Sequence, residues 1–323
     1  MRDAQTGKDI IGAEDLAVDQ NRQRLIISAY DRRASEKAAR QRGPAGPNGG
    51  IYAAPLATLF ALDRPAEPLA LTALTSPDDF DGGLRPHGLS FNQQADVISF
   101  VNRSYIPKKS GRWKLSPMVK SIGAQGEPIL MKDTPTPCAA NDVLIDGSSL
   151  YSSFDHSACN WRAGLEDVFR LKRSGIAGSS GEALLSGVAF ANGLALTPAG
   201  NILLAATRES AVLSLRKTQS ALTEEMRFAM PGAPDNITIN HQGAAIIATH
   251  PSLFRLALQR KLGIGRAPAR IVTLDHDTGA VSPLFDDPSG KLFSAATVGI
   301  ETAQGLIIGS VVDRGLLVCK AVS

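Results

Sequence analysis

The chain is poor in several residue types on which other classes of protein depend. Three of its 323 residues are cysteine, and they show neither a C-x-x-C motif nor a Cys/His zinc spacing. Phe, Trp and Tyr make up only 5% of the sequence, and they do not interleave with its local basic clusters. These deficits argue against a disulfide framework, a zinc site and a base-stacking surface for nucleic acid.

Long apolar runs and a strong net charge are lacking as well. No run approaches the roughly 18 apolar residues that a transmembrane helix needs, and a net charge of +3 is spread along the chain. We therefore expect no transmembrane segment. The first residues, MRDAQTGKDIIG, have no apolar h-region of the kind found in signal peptides. The compartment stays open: a removed leader would imply a periplasmic or other extracytoplasmic protein, and a complete chain a cytoplasmic one.

A repeat of two alternating apolar runs joined by a turn is the main feature that the sequence does contain. In the first copy Leu16 and Val18 are followed, after the turn, by Leu25 and Ile27. This period of two, interrupted by turn residues, predicts antiparallel hairpins. The six copies read EDLAVDQNRQRLIISAY from Glu14, HGLSFNQQADVISFV from His87, NDVLIDGSSLYSSF from Asn141, NGLALTPAGNILLAA from Asn192, DNITINHQGAAIIAT from Asp235 and VGIETAQGLIIGSVV from Val298.

Units of this kind are typical of β-propellers. The copies lie roughly 45 to 70 residues apart, within or somewhat above the usual propeller period. We predict an all-β fold in which residues 1–323 form one six-bladed β-propeller domain, with four strands per blade around a central channel. Further strands are expected at AVLSLRK from Ala211, at ARIVTLDHDTG from Ala269 and, less clearly, at GIYAAPL from Gly50.

Three segments depart from the strand pattern. SLFRLALQRKLG, from Ser252, has helical apolar spacing and a stop signal at Gly263, which predicts a short amphipathic helix. Residues 31–50 are rich in Arg, Ala, Pro and Gly, which predicts a mobile loop in the first blade. Residues 157–187 are interpreted as a long excursion, of the length found in functional lids and disordered connectors.

The residues at the start of the repeats would meet in the channel if the six units close into a ring. Alone, each is a common turn or cap residue, but a shared register in four repeats favours a site. The set offers only oxygen ligands, and two of them are anionic. Calcium takes six to eight such ligands, whereas magnesium prefers a tighter octahedron with several waters. The sequence therefore predicts a calcium site formed by Glu14, Asn141, Asn192, Asp235 and Asn236.

Several motifs resemble those of the serum paraoxonase/arylesterase family, in order and in spacing. They are GAEDLAVD, RPHGLSF, AANDVLIDG followed by LYSSFDH, FANGLALTPAGN, PDNITI, ATHPSLFRL and LIIGSVVDRGLLVCKA. The likeness runs from about residue 10 to the C-terminus. A more distant resemblance is to the senescence-marker-protein/gluconolactonase group.

The resemblance implies a six-bladed propeller with two calcium ions in its channel. The five ring residues match the ligands of the catalytic calcium, and Asn192 and Asp235 are thereby implied in catalysis. Asp15, Asp142 and the carbonyl of Leu89 match the ligands of a buried structural calcium. Consecutive strand residues point in opposite directions, which allows adjacent side chains to serve two ions.

The resemblance also implies a base and a substrate pocket. His87 matches the histidine proposed to activate water, but Arg103 stands where its partner histidine is expected. An arginine cannot be deprotonated in a protein, so a two-histidine relay is not available here. Asp155, His156 and His250 match other positions near the pocket, and Leu253 and Phe254 would belong to an apolar rim.

The expected activity is calcium-dependent hydrolysis of a small-molecule lactone or aryl ester. One alternative is a sugar-lactone hydrolase of the gluconolactonase type, with a more polar site. Another is a non-catalytic, calcium-stabilised propeller that binds a ligand. Relatives in blood close the ring with a disulfide between the terminal strands. Only the C-terminal cysteine of that pair has a counterpart here, which is Cys319. We therefore expect Cys319 to be a buried free thiol and the ring to be closed by hydrogen bonds and packing.

Overall fold

Alternating apolar residues and intervening turns produce six small antiparallel sheets, each beginning at one of the repeats. The computed structural model describes residues 1–41, 46–61, 67–127 and 134–321, and these six sheets are counted within those ranges. The sheets form a six-bladed β-propeller, as predicted, but the first sheet has five strands and the last has three in the described residues, instead of the four expected for every blade. No described helix is long and apolar enough to span a membrane.

The first three blades run from residue 2 to residue 188. Blade 1 is made of β1 (Arg2–Asp3), β2 (Ala13–Asp19), β3 (Arg24–Ala29), β4 (Gly50–Pro55) and β5 (Ala70–Ala73), with α1 (Arg32–Arg40) and α2 (Leu56–Ala61) between its strands. Blade 2 is made of β6 (Pro86–Asn92), β7 (Val97–Pro107), β8 (Trp113–Gly123) and β9 (Thr134–Pro135), after a 3-10 turn at Pro77–Asp79. Blade 3 is made of β10 (Ala140–Asp146), β11 (Ser149–Phe154), β12 (Ser174–Ala177) and β13 (Ala183–Val188), with α3 (Arg162–Phe169) in the middle.

The last three blades run from residue 191 to residue 320. Blade 4 is made of β14 (Ala191–Leu196), β15 (Ile202–Ala206), β16 (Ala211–Lys217) and β17 (Leu222–Ala229), with a 3-10 turn at Thr207–Glu209. Blade 5 is made of β18 (Ala233–Ile239), β19 (Ala245–His250), β20 (Ala269–Leu274) and β21 (Val281–Asp287), with α4 (Leu253–Ala257) running into a π-helical turn at Leu258–Leu262. Blade 6 is made of β22 (Ala296–Thr302), β23 (Gly305–Ser310) and β24 (Leu317–Lys320).

The innermost strand of each blade contacts the innermost strand of the next. The contacts run from β2 through β6, β10, β14 and β18 to β22, and β22 contacts β2 in turn. Buried aliphatic side chains fill the spaces between adjacent blades; Leu194, Leu204 and Leu215 of blade 4, for example, pack against Leu144 and Ile176 of blade 3. This packing fixes the six repeat starts at the same end of the channel.

The inner strands share an irregularity at the position where the polar residues stand. Each shows a register shift of the β-bulge type near its start. A bulge places two residues opposite one and redirects the side chains around it. The shifts fall between Ala13 and Asp15, Pro86 and Leu89, Ala140 and Val143, Ala191 and Leu194, Pro234 and Ile237, and Ala296 and Val298.

Glycine at two of these bulges permits the close approach of neighbouring blades. A Cβ on Gly193 would lie 2.6 Å from the Asp235 carbonyl oxygen. One on Gly88 would lie 2.2 Å from Asp142 Oδ1. Both distances are shorter than any real Cβ contact. The Asn-Gly and His-Gly pairs of the repeats are therefore packing requirements of the ring as well as turn residues.

Most of the predicted elements are present. The strands expected from Ala211, Ala269 and Gly50 are β16, β20 and β4, and the helix expected after Ser252 is α4 with its π turn. That helix is capped by the Ser252 hydroxyl and ends at Gly263, which has a φ of +72°.

Two predictions about connecting segments were wrong. Most of residues 157–187 is regular: it contains α3 and the third and fourth strands of blade 3, because its Gly/Ser tract is the turn between those strands. In residues 31–50, α1 forms on an Asp31 cap and an Arg32–Glu36 ion pair. Residues 42–45 of that predicted loop lie outside the described residues.

Hydrogen bonds and packing join the first and last blades, as expected in the absence of a terminal disulfide. The Met1 amino group donates to the Arg314 carbonyl at 2.7 Å, and the Gly12 amide donates to the Asp313 carbonyl. Cys319 is a free thiol, but it is half-buried rather than buried, because it lies in the outermost strand of blade 6.

Cys138 and Cys159 form a single disulfide across a separation of 21 residues. The low cysteine count had argued only against a framework of several bridges. Cys138 lies just before β10, and Cys159 lies between β11 and α3. The bond therefore ties the start of an inner strand to the segment that carries α3.

We expect removal of this disulfide to destabilise the fold. Closing a loop of this size removes conformational entropy from the unfolded chain, worth about 3 kcal/mol. The Cys138→Ala/Cys159→Ala double variant should lose about that much free energy of unfolding in urea titrations. Cys319→Ala is the control, and equal stability of the double variant and this control would contradict the expectation.

Candidate functional site

The polar residues that lead the repeats converge at one end of the channel. Glu14, Asn141, Asn192 and Asp235 line a single cavity of about 690 Å³, its open mouth included. Asn236 is buried beside them, and its amide donates to the Glu14 carbonyl at 2.9 Å. The five predicted ring residues are thus brought together by β2, β10, β14 and β18.

Both oxygens of the Asp235 carboxylate are held by neighbours. Asn192 Nδ2 donates to Oδ1, and His250 Nε2 lies 2.7 Å from Oδ2. Asn192 Nδ2 also lies 3.2 Å from the hydroxyl of Thr207, which in turn donates to the Pro234 carbonyl. His250, predicted near the pocket, therefore fixes the orientation of a ring carboxylate and also lines the cavity.

The three ring asparagines use their amide groups in the same way. Asn141 donates through Nδ2 to Asp155 at 3.3 Å, Asn192 donates to Asp235 and Thr207, and Asn236 donates to the carbonyl of Glu14. None of the three Oδ1 atoms accepts a hydrogen bond from the residues that the structure describes. Three carbonyl oxygens beside two carboxylates remain free to meet a cation.

Glu14 is buried and only partly compensated. Its Oε1 lies 3.4 Å from Arg32 Nη1, and its Oε2 is buried without a hydrogen-bond partner. Burial raises the pKa of Glu14 to about 7, against the opposing charge of Arg32. The carboxylate therefore lacks the neutralising contacts that a buried charge requires.

His87 is buried next to Glu14 and Arg32 and does not line the cavity. Its Nδ1 lies 3.3 Å from Glu14 Oε1, too poorly aligned for a hydrogen bond, and its Nε2 lies 3.4 Å from Arg32 Nη1. Burial and the charges of Arg32 and Arg103 hold the pKa of His87 well below its usual range. The ring is neutral and can accept a proton, but the side chain of Arg32, from α1, lines the cavity in its place.

Asp15 and Asp142 form a second buried acidic pair behind the ring. Asp15 accepts the amides of Leu16 and Leu89, and Asp142 accepts those of Val143 and Leu194. Burial, followed by the charge of Asp142, raises the pKa of Asp15 well above its usual value, and burial raises that of Asp142 to about 7. The pair joins adjacent blades through these amides. Leu89 contacts Asp15 through its N–H, so a role for its carbonyl as a ligand stays a prediction.

Asp155 and His156 lie in a network next to the cavity. His156 Nδ1 is 2.6 Å from Asp155 Oδ1, and Nε2 is 3.2 Å from Oδ1 of Asp167, a residue of α3. Burial opposes the charged ring, but the hydrogen bond to Asp155 and the charges of Asp155 and Asp167 outweigh it and raise the pKa of His156 to about 10. Its edge contacts Phe190, which lines the cavity.

The raised pKa of His156 makes stability depend on pH. A group whose pKa is higher in the folded state stabilises fully below its unfolded value of 6.5, and the effect is lost as pH rises through about 10. Between those limits we expect the free energy of unfolding to fall by about 5 kcal/mol more in the native chain than in His156→Gln. Urea titrations across this range test it, with the exposed His241→Gln as control. Parallel pH profiles of the native chain and His156→Gln would contradict the assignment.

Two predicted rim residues lie elsewhere. Phe254 is 73% exposed and does not line the cavity, because the turn of α4 points Leu253 and Leu256 inward instead. Arg103 is buried against the backbone, donating to the Ala140 carbonyl at 3.3 Å, so its side chain does not reach the cavity lining either.

Several lining residues were missed from the sequence. Thr297 occupies the ring position in blade 6, where its hydroxyl donates to the Glu14 carbonyl at 2.9 Å. It precedes Val298 directly, so alignment of the sixth copy one residue earlier would have found it. Asp167, Arg32, Arg208, Arg260 and Lys261 also line the cavity, on elements without a repeat signal.

The donor set limits how a metal could be bound. In the part of the chain that the structure describes, no group of three or more His, Cys, Asp and Glu side chains is placed to hold a metal ion. The ring offers two carboxylates and three carboxamides. Binding here would depend on amide oxygens, which suits a hard cation such as calcium and does not suit a soft transition metal.

Comparison with known proteins supports the assignment of the fold. No protein-family model matches the chain, and no curated protein matches it in sequence. A solved structure provisionally assigned as a gluconolactonase has a TM-score of 0.51 at 14% identity, covering 96% of this chain and 89% of its own. A gluconolactonase from Xanthomonas campestris has a TM-score of 0.51 at 13% identity, covering 95% and 85%. At this identity the similarity shows a shared propeller fold.

Proposed function

We propose that this protein is a calcium-dependent hydrolase of lactones or related carboxylic esters. The observation that carries the proposal is the ring of five oxygen-bearing side chains from four blades, four of which line one open cavity. Its asparagine carbonyl oxygens accept no protein hydrogen bonds among the described residues, and Glu14 Oε2 is buried without a partner. These are the properties of a preformed site for a hard cation.

The residues present fit calcium. Glu14, Asn141, Asn192, Asp235 and Asn236 would hold the catalytic ion, and the acidic pair Asp15 and Asp142 would hold a structural one. A bound calcium ion would supply Lewis-acid polarisation of the substrate carbonyl, an effect worth several kcal/mol.

The chain itself would orient the reacting groups. Hydrolysis requires a water oxygen to bond to the carbonyl carbon, the acyl–oxygen bond to break, and a proton to reach the departing alkoxide. His250 and Asn192 hold the Asp235 carboxylate in one orientation. His87 is a weak base in this setting, and it could take the proton of the water only if Arg32, which contacts its Nε2 and lines the cavity, moved away.

The lining suits a substrate with both a polar and an apolar part. It includes Asn141, Asn192, Thr207 and Thr297, and apolar side chains such as Phe190, Leu253 and Leu256 form a comparable share of it. A sugar lactone, the substrate class that the names of the two compared structures imply for those proteins, is the second candidate.

Hydrolysis of a panel of lactones and aryl esters, with calcium and with a chelator, tests the proposal. We expect turnover of at least one lactone that disappears with chelator and returns with calcium. Persistence of activity in chelator would contradict the calcium mechanism. The absence of turnover across the panel would favour the third possibility, a non-catalytic binding propeller.

A further inference from the structure

The cavity is lined by more cationic than anionic side chains. Seven charged residues line it: Arg32, Arg208, Arg260, Lys261, Glu14, Asp167 and Asp235. Asp167 lies against Arg208 and Asp235 against His250, whereas Glu14 contacts Arg32 through Oε1 only and its Oε2 has no partner. Among the described residues, neither Arg260 nor Lys261 forms an ion pair.

Arg260 has no direct partner for its charge. No carboxylate oxygen lies within 4.0 Å of its guanidinium, and it makes no hydrogen bond to the residues that the structure describes. Its Nε is buried. A guanidinium whose Nε–H is buried without an acceptor is unusual, because that donor has lost water without gaining a hydrogen bond. A ligand that supplies two acceptor oxygens would relieve that deficit.

The positive charges around Arg260 favour the binding of an anion. Repulsion by Arg32 is the largest effect and lowers the pKa of Arg260, with burial next; Glu36 opposes both without reaching salt-bridge distance. Lys261, adjacent on the π-helical turn, is exposed and adds a second positive charge at the mouth. Cations that converge on a cleft raise the local concentration of anionic ligands.

The same turn of chain also provides the apolar wall. Leu253, Leu256 and Ala257 precede Arg260 by one to two helical turns and line the cavity, and Phe190 lies in the lining as well. The cavity lining therefore combines the ring residues Asp235 and Asn192, a short apolar wall, and the cations Arg260 and Lys261.

We propose that the substrate carries a carboxylate in addition to its lactone or ester group, and that Arg260, with Lys261, binds that carboxylate. This inference rests on the proposed function for the reacting group. Such a substrate differs from a lipophilic lactone or a neutral sugar lactone by one negative charge, and the effect of that charge on binding can be measured. A lost charge-assisted contact of about 1.4–3 kcal/mol corresponds to a tenfold to hundredfold loss of affinity.

A matched pair of substrates tests the proposal: γ-carboxy-γ-butyrolactone and its γ-carboxamide, which differ in one charge. We expect the native chain to prefer the carboxylate by at least tenfold in kcat/KM, and Arg260→Gln to reduce that ratio by about tenfold or more. Lys37→Gln, which removes an exposed charge on the solvent side of α1, is the control and should keep the native ratio. An equal preference in the native chain and Arg260→Gln would overturn the inference while leaving the hydrolase proposal intact.

A binding measurement separates failure of the inference from failure of the proposed function. Calorimetric titration with the ring-opened hydroxydicarboxylate requires no turnover. We expect its Kd to rise at least tenfold in Arg260→Gln and to weaken with added salt. That result, in a chain that hydrolyses neither lactone, would support the anion site and reject the hydrolase. Equal affinities in Arg260→Gln, Lys37→Gln and the native chain would reject the anion site.

Discussion

Asp235→Ala and Asn192→Ala should each lower kcat/KM on a hydrolysed lactone by about a thousandfold, and His87→Ala by less. Electrostatic stabilisation of the oxyanion is often the largest single contribution to catalysis, and removal of one contributor costs about 10²–10³-fold. A general base contributes about 10²–10⁴-fold when it reaches the reacting water. His87 lies outside the cavity lining, with Arg32 between them, so we expect its loss to fall at or below the low end of that range.

Rates measured for the three variants on one lactone decide between a metal-centred mechanism and one in which His87 carries the chemistry. Asp81→Ala, which removes an exposed carboxylate without described contacts, is the control for lost negative charge. Unfolding curves establish that each variant is folded. If His87→Ala is inactive while the ring variants keep most of their activity, histidine carries the chemistry and the metal-centred mechanism is wrong.

The proposed calcium binding predicts that a chelator lowers the melting temperature by about 10 °C. A ligand present at a thousand times its Kd stabilises the folded state by about 4 kcal/mol, and each kcal/mol shifts the melting temperature by about 2–4 °C in a chain of this size class. Without a cation, Asp15 and Asp142 repel each other in a buried setting. Thermal unfolding in calcium and in chelator measures the shift.

The Asp142→Asn variant separates the two predicted ions. It removes one charge of the acidic pair and leaves the five ring residues in place, so about half of the calcium-dependent shift should remain. Asp81→Asn is its control and should keep the whole shift. Elemental analysis of protein purified without added metal provides the direct check, since zinc in place of calcium would end the calcium proposal.

The sequence predicted the parts of the fold that depend on local periodicity. The hairpins follow from alternation of apolar residues, and the ring follows from the shared position of Glu14, Asn141, Asn192 and Asp235 at the start of each run. Thr297 was missed because it stands one residue before the apparent start of its copy. These features depend on residues close together in the chain, so one sequence is enough to predict them.

The remaining site residues depend on contacts between distant segments. Helix α1 has no side chain more apolar than alanine and is held by Asp31 and an Arg32–Glu36 pair, so it lacks the stripe of large apolar residues from which a helix is predicted. Arg260 faces the cavity only because α4 continues into a π turn before Gly263. The Cys138–Cys159 bond and the contact of Asp167 with His156 require that α3 return to the ring, which spacing along the chain does not encode.

The joint between the first and last blades has a consequence for the chain as it is synthesised. The backbone carbonyl of Glu14, near the N-terminus, accepts hydrogen bonds from Asn236 of blade 5 and Thr297 of blade 6. A nascent chain that has left the ribosome only through blade 4 lacks Asp235, Asn236 and Thr297 and has no closed cavity. We therefore expect ribosome-bound fragments that end before residue 290 to be inactive, so that activity reports completion of the whole ring.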